Sequence, residues 1–540
     1  MQCEKVTDDI VLFPDVGRMA VKIANPDWQD VAAGLPGVGH TPDRSVWDFP
    51  WNMPACKILG NMGYDILPAV PFVKTNDRLV EGKYKPMQHQ LLTAAFMMLH
   101  PRGFILSEPR LGKSGSTVLA VDYMQRQGLI TGGVLIITTL TTIHGVWKDS
   151  ITAAIPRALV QVVHGKTRKQ SLEKVADFYI TNYESCRLNE ADFLRAIREK
   201  RIGAVVIDEL THVGNSTSKR HKAIYNICNK SGVPYVWGLT GSPADNPEMV
   251  FGMCKCVNPS NLPCQTKTGW LELTTYRYGP EPYMVKPSAT APQVIHKAMQ
   301  PAIRFVKKDI LDLPPVTTQV RPCELSKEQA RYRSDLKAAA IALLESGEVI
   351  TAANGGVLMN KLMQVAMGCV KDENGKVHEL DHKARTDTIL EAIAETDRKV
   401  VIFCGYIAGI DMLVREVRAA GISCDKVDGS VTGMKRSKIL ADFQNGASPR
   451  VLVCHPTTTA MGVELSAADT MIFNGVPLTG GFVYAQSIER LSSNKQTAGN
   501  INIIHVVATP EERKALEHLQ SGYDLGQKIA GMFEDFAKNA

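Results

Sequence analysis

From about residue 84 onward, short apolar runs alternate with helix-like stretches, and the chain does this twice. In the first set the apolar runs are FILS, VLIITT, FYITNY, AVVIDE and YVWGLT, with the helix-like STVLAVDYMQRQ after the first of them. Strands buried on both faces read as continuous apolar runs, and their alternation with helices predicts a parallel sheet. The second set, KVVIFCGY, CDKVDG, RVLVCHP, TMIFNGV and NIIHVVA, is interleaved with LVREVRAAG and RSKILADFQNG. Between them EQARYRSDLKAAAIALLESG and VLMNKLMQVAMG carry helical spacing. The pattern predicts an α/β fold of two parallel-sheet lobes, 81–250 and 381–540, with a helical bridge over 251–380. Residues 1–80 mix Pro, Gly, Trp and Asp with short apolar runs in no sustained period, which predicts a small N-terminal accessory domain.

The length of 540 residues exceeds what one hydrophobic core serves, in keeping with several domains. Hydrophobic residues at 44% and charged residues at 21% are ordinary globular usage, which excludes a disordered chain. The opening MQCEKVTDDIVLF has acids where a secretory leader is basic and apolar, and no later apolar run is long enough to span a bilayer. A cytoplasmic protein without a membrane partner is the expectation. The 12 cysteines are scattered, which suits reduced thiols; Cys254, Cys256 and Cys264 lack the paired spacing of a zinc site and read as thiols of the core. A net charge of +6 over this length is a mild bias toward anionic partners.

Two segments carry chemistry. After FIL, the run Ser107-Glu108-Pro109-Arg110-Leu111-Gly112-Lys113-Ser114 leads into a helical stretch, the context of a phosphate-binding loop. Backbone amides at a helix start, Gly112 included, point at phosphate oxygens, Lys113 reaches the outer phosphates, and the Ser114 hydroxyl can ligate Mg2+. Ser107 stands where the first glycine of the usual pattern would be, and Arg110 where a second glycine often stands. Further on, Ala204-Val205-Val206-Ile207 precedes Asp208-Glu209. Carboxylates at the carboxyl end of a parallel strand sit where such sheets bind ligands, so Asp208 can hold the metal and Glu209 can orient the attacking water. An acidic helix cap is the alternative for this pair.

With these residues in view, the chain over about 84–510 resembles a superfamily-two helicase or translocase of the Swi/Snf-type group, including versions found in phages. The resemblance implies two RecA-like lobes that hydrolyse ATP, with Mg2+, at their interface while acting on DNA. His89-Gln90 followed by LLTAAF resembles the motif whose glutamine selects adenine, with Gln88 as the alternative. TTLTTIHGVW at 138–147 and ITNYES at 180–185 resemble strand-contacting motifs; Asp208 to His212 falls on the metal-binding motif, with Thr211 in place of a histidine. Leu239-Thr240-Gly241-Ser242-Pro243, with Asn246 beyond it, resembles the motif that couples ATP state to DNA grip. RFVKKDILDLPP at 304–315 resembles the entry to the linker between lobes; the alternative is a solvated basic run.

In the second lobe, VVIFCGY resembles the opening strand motif, and Asp428-Gly429-Ser430 with KRSKILADFQ resembles the substrate loop and its helix. The run from Thr457 to Leu465 resembles a motif that contacts DNA and nucleotide, which places Gly462 and Glu464 at the nucleotide; Glu464 replaces the usual asparagine. Gln486, Arg490 and Gln496 fall at the spacing of the last motif, whose arginines reach the phosphates, which assigns Gln486 and Arg490 to the nucleotide and Arg490 to catalysis. Ser493 stands where its second arginine belongs; Arg490 alone, Lys495 or a partner protein are the alternative sources of that cation. Arg110 is assigned to the nucleotide by its place in the loop. Duplex, single-stranded and forked DNA are the implied partners, with replication or recombination proteins beside them, and the runs KTRK at 166 and SKRHK at 218 are candidate phosphate contacts. The stretch at Trp47-Asp48-Phe49 resembles the substrate-recognition domain of annealing helicases, the alternative being packing anchors. The competing functional reading is a DNA-binding clamp that kept the fold and lost turnover, motivated by Arg110, Glu464 and Ser493.

Overall fold

The computed structural model describes residues 3–74, 84–140, 142–241, 247–277, 285–310, 313–345, 352–372, 374–431, 433–456, 463–476, 481–493 and 495–531. Two compact units divide at Val306/Lys307, inside the segment read above as a bridge.

The first unit begins with an antiparallel sheet of β1 (Glu4–Lys5), β2 (Ile10–Phe13), β3 (Arg18–Lys22), β4 (Gly39–His40) and β5 (Val46–Pro50), in the order β1-β2-β3-β5-β4. Alternate residues point to one face, so Ile10, Leu12, Met19, Val21, Trp47 and Phe49 are all buried together. Trp47 and Phe49 are thus packing anchors, with the Trp47 indole donating to Arg44 O at 3.0 Å. Asp48 points the other way and takes the Arg18 guanidinium at 2.7 Å. The alternation was present in IVLF, RMAVK and VWDFP, but strands of 4–5 residues are too short to give a sustained period.

The main sheet of this unit consists of β6 (Arg102–Ile105), β7 (Gly133–Thr138), β8 (Val160–Val162), β9 (Phe178–Asn182), β10 (Ile202–Asp208) and β11 (Tyr235–Leu239). A hairpin of β12 (Thr275–Arg277) and β13 (Val285–Pro287) follows, and then β14 (Ala302–Ile303), which returns to the main sheet. The order is β14-β6-β11-β10-β7-β9-β8, with every pair parallel. β14 is only two residues long and lay in the expected bridge, yet its pairing continues past its end: Leu106 N donates to Ile303 O at 2.8 Å and Glu108 N to Phe305 O at 3.0 Å. Cys254 and Cys256 are buried on the helix Pro247–Val257, and among the described residues no set of three or more candidate ligands is placed to hold a metal.

In the second unit β15 (Val316–Pro322) precedes a hairpin of β16 (Cys369–Lys371) and β17 (Val377–Glu379), and then β18 (Lys399–Cys404), β19 (Cys424–Val427), β20 (Val451–Cys454), β21 (Ala468–Asn474) and β22 (Ile501–Val507). The parallel order is β15-β22-β21-β18-β20-β19. Val401 and Phe403 join the core on one face and Val400 and Ile402 the core on the other, as a strand covered on both sides requires. β15 is an edge strand, largely exposed and closed by a proline, so it showed no apolar run. Arg385 and Glu512 are both buried and form a bidentate pair at 2.7 Å. Glu512 also accepts from the amides of Ala508 and Thr509, and Arg385 donates to Asn474 Oδ1 and Val506 O, so the pair ties the helices Lys383–Ala394 and Pro510–Gly531 to the ends of β21 and β22. The two buried charges offset each other, and Nη1 and Nη2 of Arg385 and both Glu512 oxygens are hydrogen-bonded in this network, while Arg385 Nε has no partner among the described residues. No helix among the described residues is long and apolar enough to cross a membrane.

Candidate active site

The site is built on the carboxyl ends of β6, β10 and β11, which are neighbours in the sheet in the order β6-β11-β10. The loop after β6 is held at its start by the ladder to β14: Ser107 is buried and its Oγ accepts from Phe305 N at 3.2 Å, a contact that a glycine could not make. Arg110 has φ +70° and Gly112 φ +76°, both left-handed. The backbone therefore takes the glycine conformation at Arg110 although the residue is arginine, at a cost of about 1–2 kcal/mol. Lys113 opens the helix Lys113–Arg126 and folds its Nζ back onto Ser107 O at 2.7 Å and Glu108 O at 3.1 Å. Ser114 lies half-buried in the first turn of the same helix.

The preceding helix, Gln88–Leu99, braces the loop. Gln90 Oε1 accepts from Tyr84 Oη at 2.7 Å and Met87 N at 3.0 Å, while Nε2 donates to Leu111 O at 3.2 Å. His89 Nε2 donates to the same carbonyl at 2.8 Å, which fixes its proton on that nitrogen, and burial lowers the imidazole below its usual pKa. Gln90 is thus buried and committed at both ends of its amide to its own chain, whereas Gln88 is exposed at the first residue of the helix. Tyr84, which no sequence motif singles out, is pushed up to about 12 by burial and so stays a donor.

Arg304 has its side chain 2% exposed. Its Nη1 donates to Leu106 O at 2.7 Å and Gly241 O at 3.4 Å, and Nη2 lies 3.5 Å from Glu108 Oε1, so one guanidinium joins the loop to the end of β11. A Cβ on Gly241 would come within 2.5 Å of Pro109 Cδ, so the two segments are in direct contact. Lys307, in the second unit, is also buried and donates to Ser492 O at 3.3 Å. The segment from 304 is therefore not a solvated basic run at Arg304 or Lys307. Ser242, Pro243 and Asn246 lie outside the described residues.

Asp208 ends β10 and Glu209 follows at φ +53°. Asp208 Oδ2 accepts from the Trp147 indole at 2.7 Å and from Thr138 Oγ1 at 2.8 Å. Both contacts fall on one oxygen, which leaves Oδ1 for a metal. The fully buried Tyr183 hydroxyl donates to the backbone carbonyls of Asp208 and Glu209, and burial raises it well above its usual pKa. His212, beside the Tyr183 ring at 5.1 Å, is lowered to about 4 by burial and secondarily by Arg220. The acidic pair thus closes the strand, and Glu209, which precedes the short 3-10 turn Leu210–Val213, makes no side-chain capping hydrogen bond to it.

In the second unit Arg490 is buried, its N–H donating to Ser487 O at 3.1 Å and its carbonyl accepting from Leu465 N at 3.3 Å. Ser493 Oγ donates to Glu464 Oε1 at 3.0 Å, so the two residues that depart from the expected motifs are bonded to each other. Lys495 N donates to Ser493 Oγ at 3.2 Å and Gln496 Nε2 to Ala468 O and Leu491 O at 2.9 Å. Gly462 lies outside the described residues, and Gln486 is on the helix Gly481–Ile488 with its side chain outside them.

Residues 84–374 match the SNF2-related domain, and residues 384–495 match the helicase conserved C-terminal domain. The chain belongs to the SNF2-related family. Its fold is accordingly the α/β pair of RecA-like lobes that its two parallel sheets form. An uncharacterized ATP-dependent helicase of Mycoplasma genitalium is 23% identical over 68% of this chain and 34% of its own length. Chromodomain-helicase-DNA-binding protein 1-like is 26% identical in Danio rerio, over 70% of this chain and 37% of that protein, and 24% identical in Mus musculus, over 68% and 41%. This chain's matches thus span only about a third to two fifths of those relatives. Among solved structures, a Sulfolobus solfataricus SWI2/SNF2 ATPase core in complex with dsDNA is similar at 19% identity and TM-score 0.38, covering 85% of this chain and 97% of that one.

The family's ATP and Mg2+ suit the residues of this SNF2-related chain. A Cβ on Gly112 would fall 2.0 Å from Gln90 Nε2 and one on Gly115 2.1 Å from Tyr84 Oη, so side chains close in on the backbone of the loop and of the helix start. Lys113 and the helix start supply positive charge, and Ser114 with Asp208 Oδ1 supplies oxygen ligands of the hard type Mg2+ takes. Gly112→Ala combines a strained φ with a clash against Gln90. A fluorescent ATP analogue titrated against this variant is expected to bind at least roughly 10-fold more weakly than to the parent, as a preorganised backbone cradle would require.

Proposed function

We propose that the chain is a DNA-stimulated ATPase that moves along DNA. The observation that carries this reading is the loop from Ser107 to Ser114 and the pair Asp208-Glu209 at carboxyl ends of one parallel sheet, the two parts of a phosphoryl-transfer site. Lys113 binds the outer phosphates, Ser114 and Asp208 hold the metal, and Glu209 orients the attacking water. Bound Mg2+ would neutralise charge on the phosphates. Gln88, exposed at its helix start, is the better candidate to read adenine, since Gln90 and Arg110 serve the shape of the loop. Arg490, buried within the second unit, is the proposed arginine of the last motif.

DNA is proposed as the partner because the similar proteins named above include helicases whose names say that they bind DNA. Lys166, Lys169, Lys219 and Lys222 are exposed in the two basic runs, and contacts of this kind follow phosphates without reading sequence. Duplex and branched DNA from replication, recombination or repair are the proposed substrates.

A weakly catalytic clamp is the second reading, favoured by the Ser493–Glu464 hydrogen bond where an arginine is expected. An arginine finger contributes on the order of 10³ to 10⁵ in rate. Phosphate release is to be measured with and without single-stranded, duplex and forked DNA, beside Lys113→Ala and Glu209→Gln. DNA-dependent turnover lost in both variants is the expected result, and nucleotide binding without turnover on any DNA favours the clamp. Ser493→Arg alone would be captured by the Glu464 carboxylate. The double variant Ser493→Arg with Glu464→Asn is therefore expected to raise turnover by roughly 10-fold or more in the same assay, with Ser493→Arg well below it.

A further inference from the structure

We infer that Trp147 and Thr138 are positioning residues for Asp208: they hold its carboxylate on Oδ2 so that Oδ1 is presented to the metal. The inference rests on the proposed metal role of Asp208 and goes beyond it, since neither residue touches nucleotide in that reading.

Three observations converge. The Trp147 side chain is completely buried, so its indole N–H needs an acceptor, and the acceptor it takes is Asp208 Oδ2 at 2.7 Å. Thr138, the last residue of β7, reaches the same oxygen at 2.8 Å and shares its hydroxyl with Thr142 at 2.6 Å, which in turn meets Thr139 Oγ1 at 3.0 Å. The chain from Thr138 to Trp147 turns through a single π-helical stretch, Ile143–Lys148, the wider coil that brings Trp147 back under the strand ends.

The consequence follows from where the ends of this network lie. At the buried end two donors pin one carboxylate oxygen, which fixes the rotamer of a short side chain. At the other end Leu140 is 57% exposed and Lys148 is exposed. Outer-shell donors of this kind orient a metal ligand, and their loss typically costs 10–100-fold in metal affinity.

Trp147→Phe keeps the buried ring and removes only the N–H, and Thr138→Val keeps the volume and removes the hydroxyl. Each variant is to be checked by thermal melting and then titrated with a fluorescent ATP analogue, first without metal and then over a series of Mn2+ concentrations, with free Mn2+ followed by electron paramagnetic resonance. The expected result is unchanged metal-free nucleotide affinity in both variants and a Mn2+ requirement raised about 10-fold. An unchanged Mn2+ requirement in both folded variants overturns the inference, as does an equal loss of metal-free binding, which marks general damage. Failure of the parent protein to bind nucleotide with metal dependence would instead sink the proposed function, so the two failures are separable.

Discussion

A phosphate-binding loop works only if its backbone stays bare toward the ligand, and in this protein that requirement organises everything around it. Three glycines, Gly112, Gly115 and Gly241, stand where a Cβ would strike Gln90, Tyr84 or Pro109. Those neighbours are themselves immobilised: Tyr84 donates to Gln90, Gln90 and His89 both donate to Leu111 O, and Arg304 spans Leu106 O, Gly241 O and Glu108. The loop is preorganised by packing from behind and by the β14 ladder at its root, so little ordering is left for the ligand to drive. This is also why Ser107 and Arg110, which break the usual glycine pattern, are compatible with the same backbone. One supplies a hydrogen bond to β14, and the other accepts a left-handed φ.

The acidic side of the site follows the same logic with different means. Asp208 is steadied through its side chain by Thr138 and Trp147, and the backbone of Asp208 and Glu209 is steadied by Tyr183. These three residues come from the two segments, 138–147 and 180–185, that sequence resemblance assigns to strand contact. Their side chains point inward, Thr138 and Trp147 to the Asp208 carboxylate and Tyr183 to the backbone carbonyls of Asp208 and Glu209.

Much of this was legible in the sequence, for identifiable reasons. Strands covered on both faces leave continuous apolar runs, so the central strands of both sheets were readable, as was the placement of Lys113 at a helix start and Asp208 at a strand end. Edge strands leave no such trace: β14 is two residues long, and β15 is largely exposed and polar. The N-terminal sheet was missed because its strands are too short to show a period, although Trp47 and Phe49 alternate with Asp48 as a half-buried strand should. Gln90 could not be separated from Gln88 by spacing alone, since the distinction is burial: the first is enclosed and the second exposed. Nor could the pairing of Ser493 with Glu464, 29 positions apart, be read from either departure taken singly.

The central claim, that the loop from Ser107 to Ser114 and the Asp208-Glu209 pair form one metal-nucleotide site, is tested most directly by an experimental structure of the chain with Mg2+ and a non-hydrolysable ATP analogue. The account predicts the phosphates on the amides of residues 110–114, the metal shared by Ser114 Oγ and Asp208 Oδ1, and the Trp147 indole still on Oδ2. A nucleotide bound elsewhere, or a metal that bypasses Asp208, would contradict it.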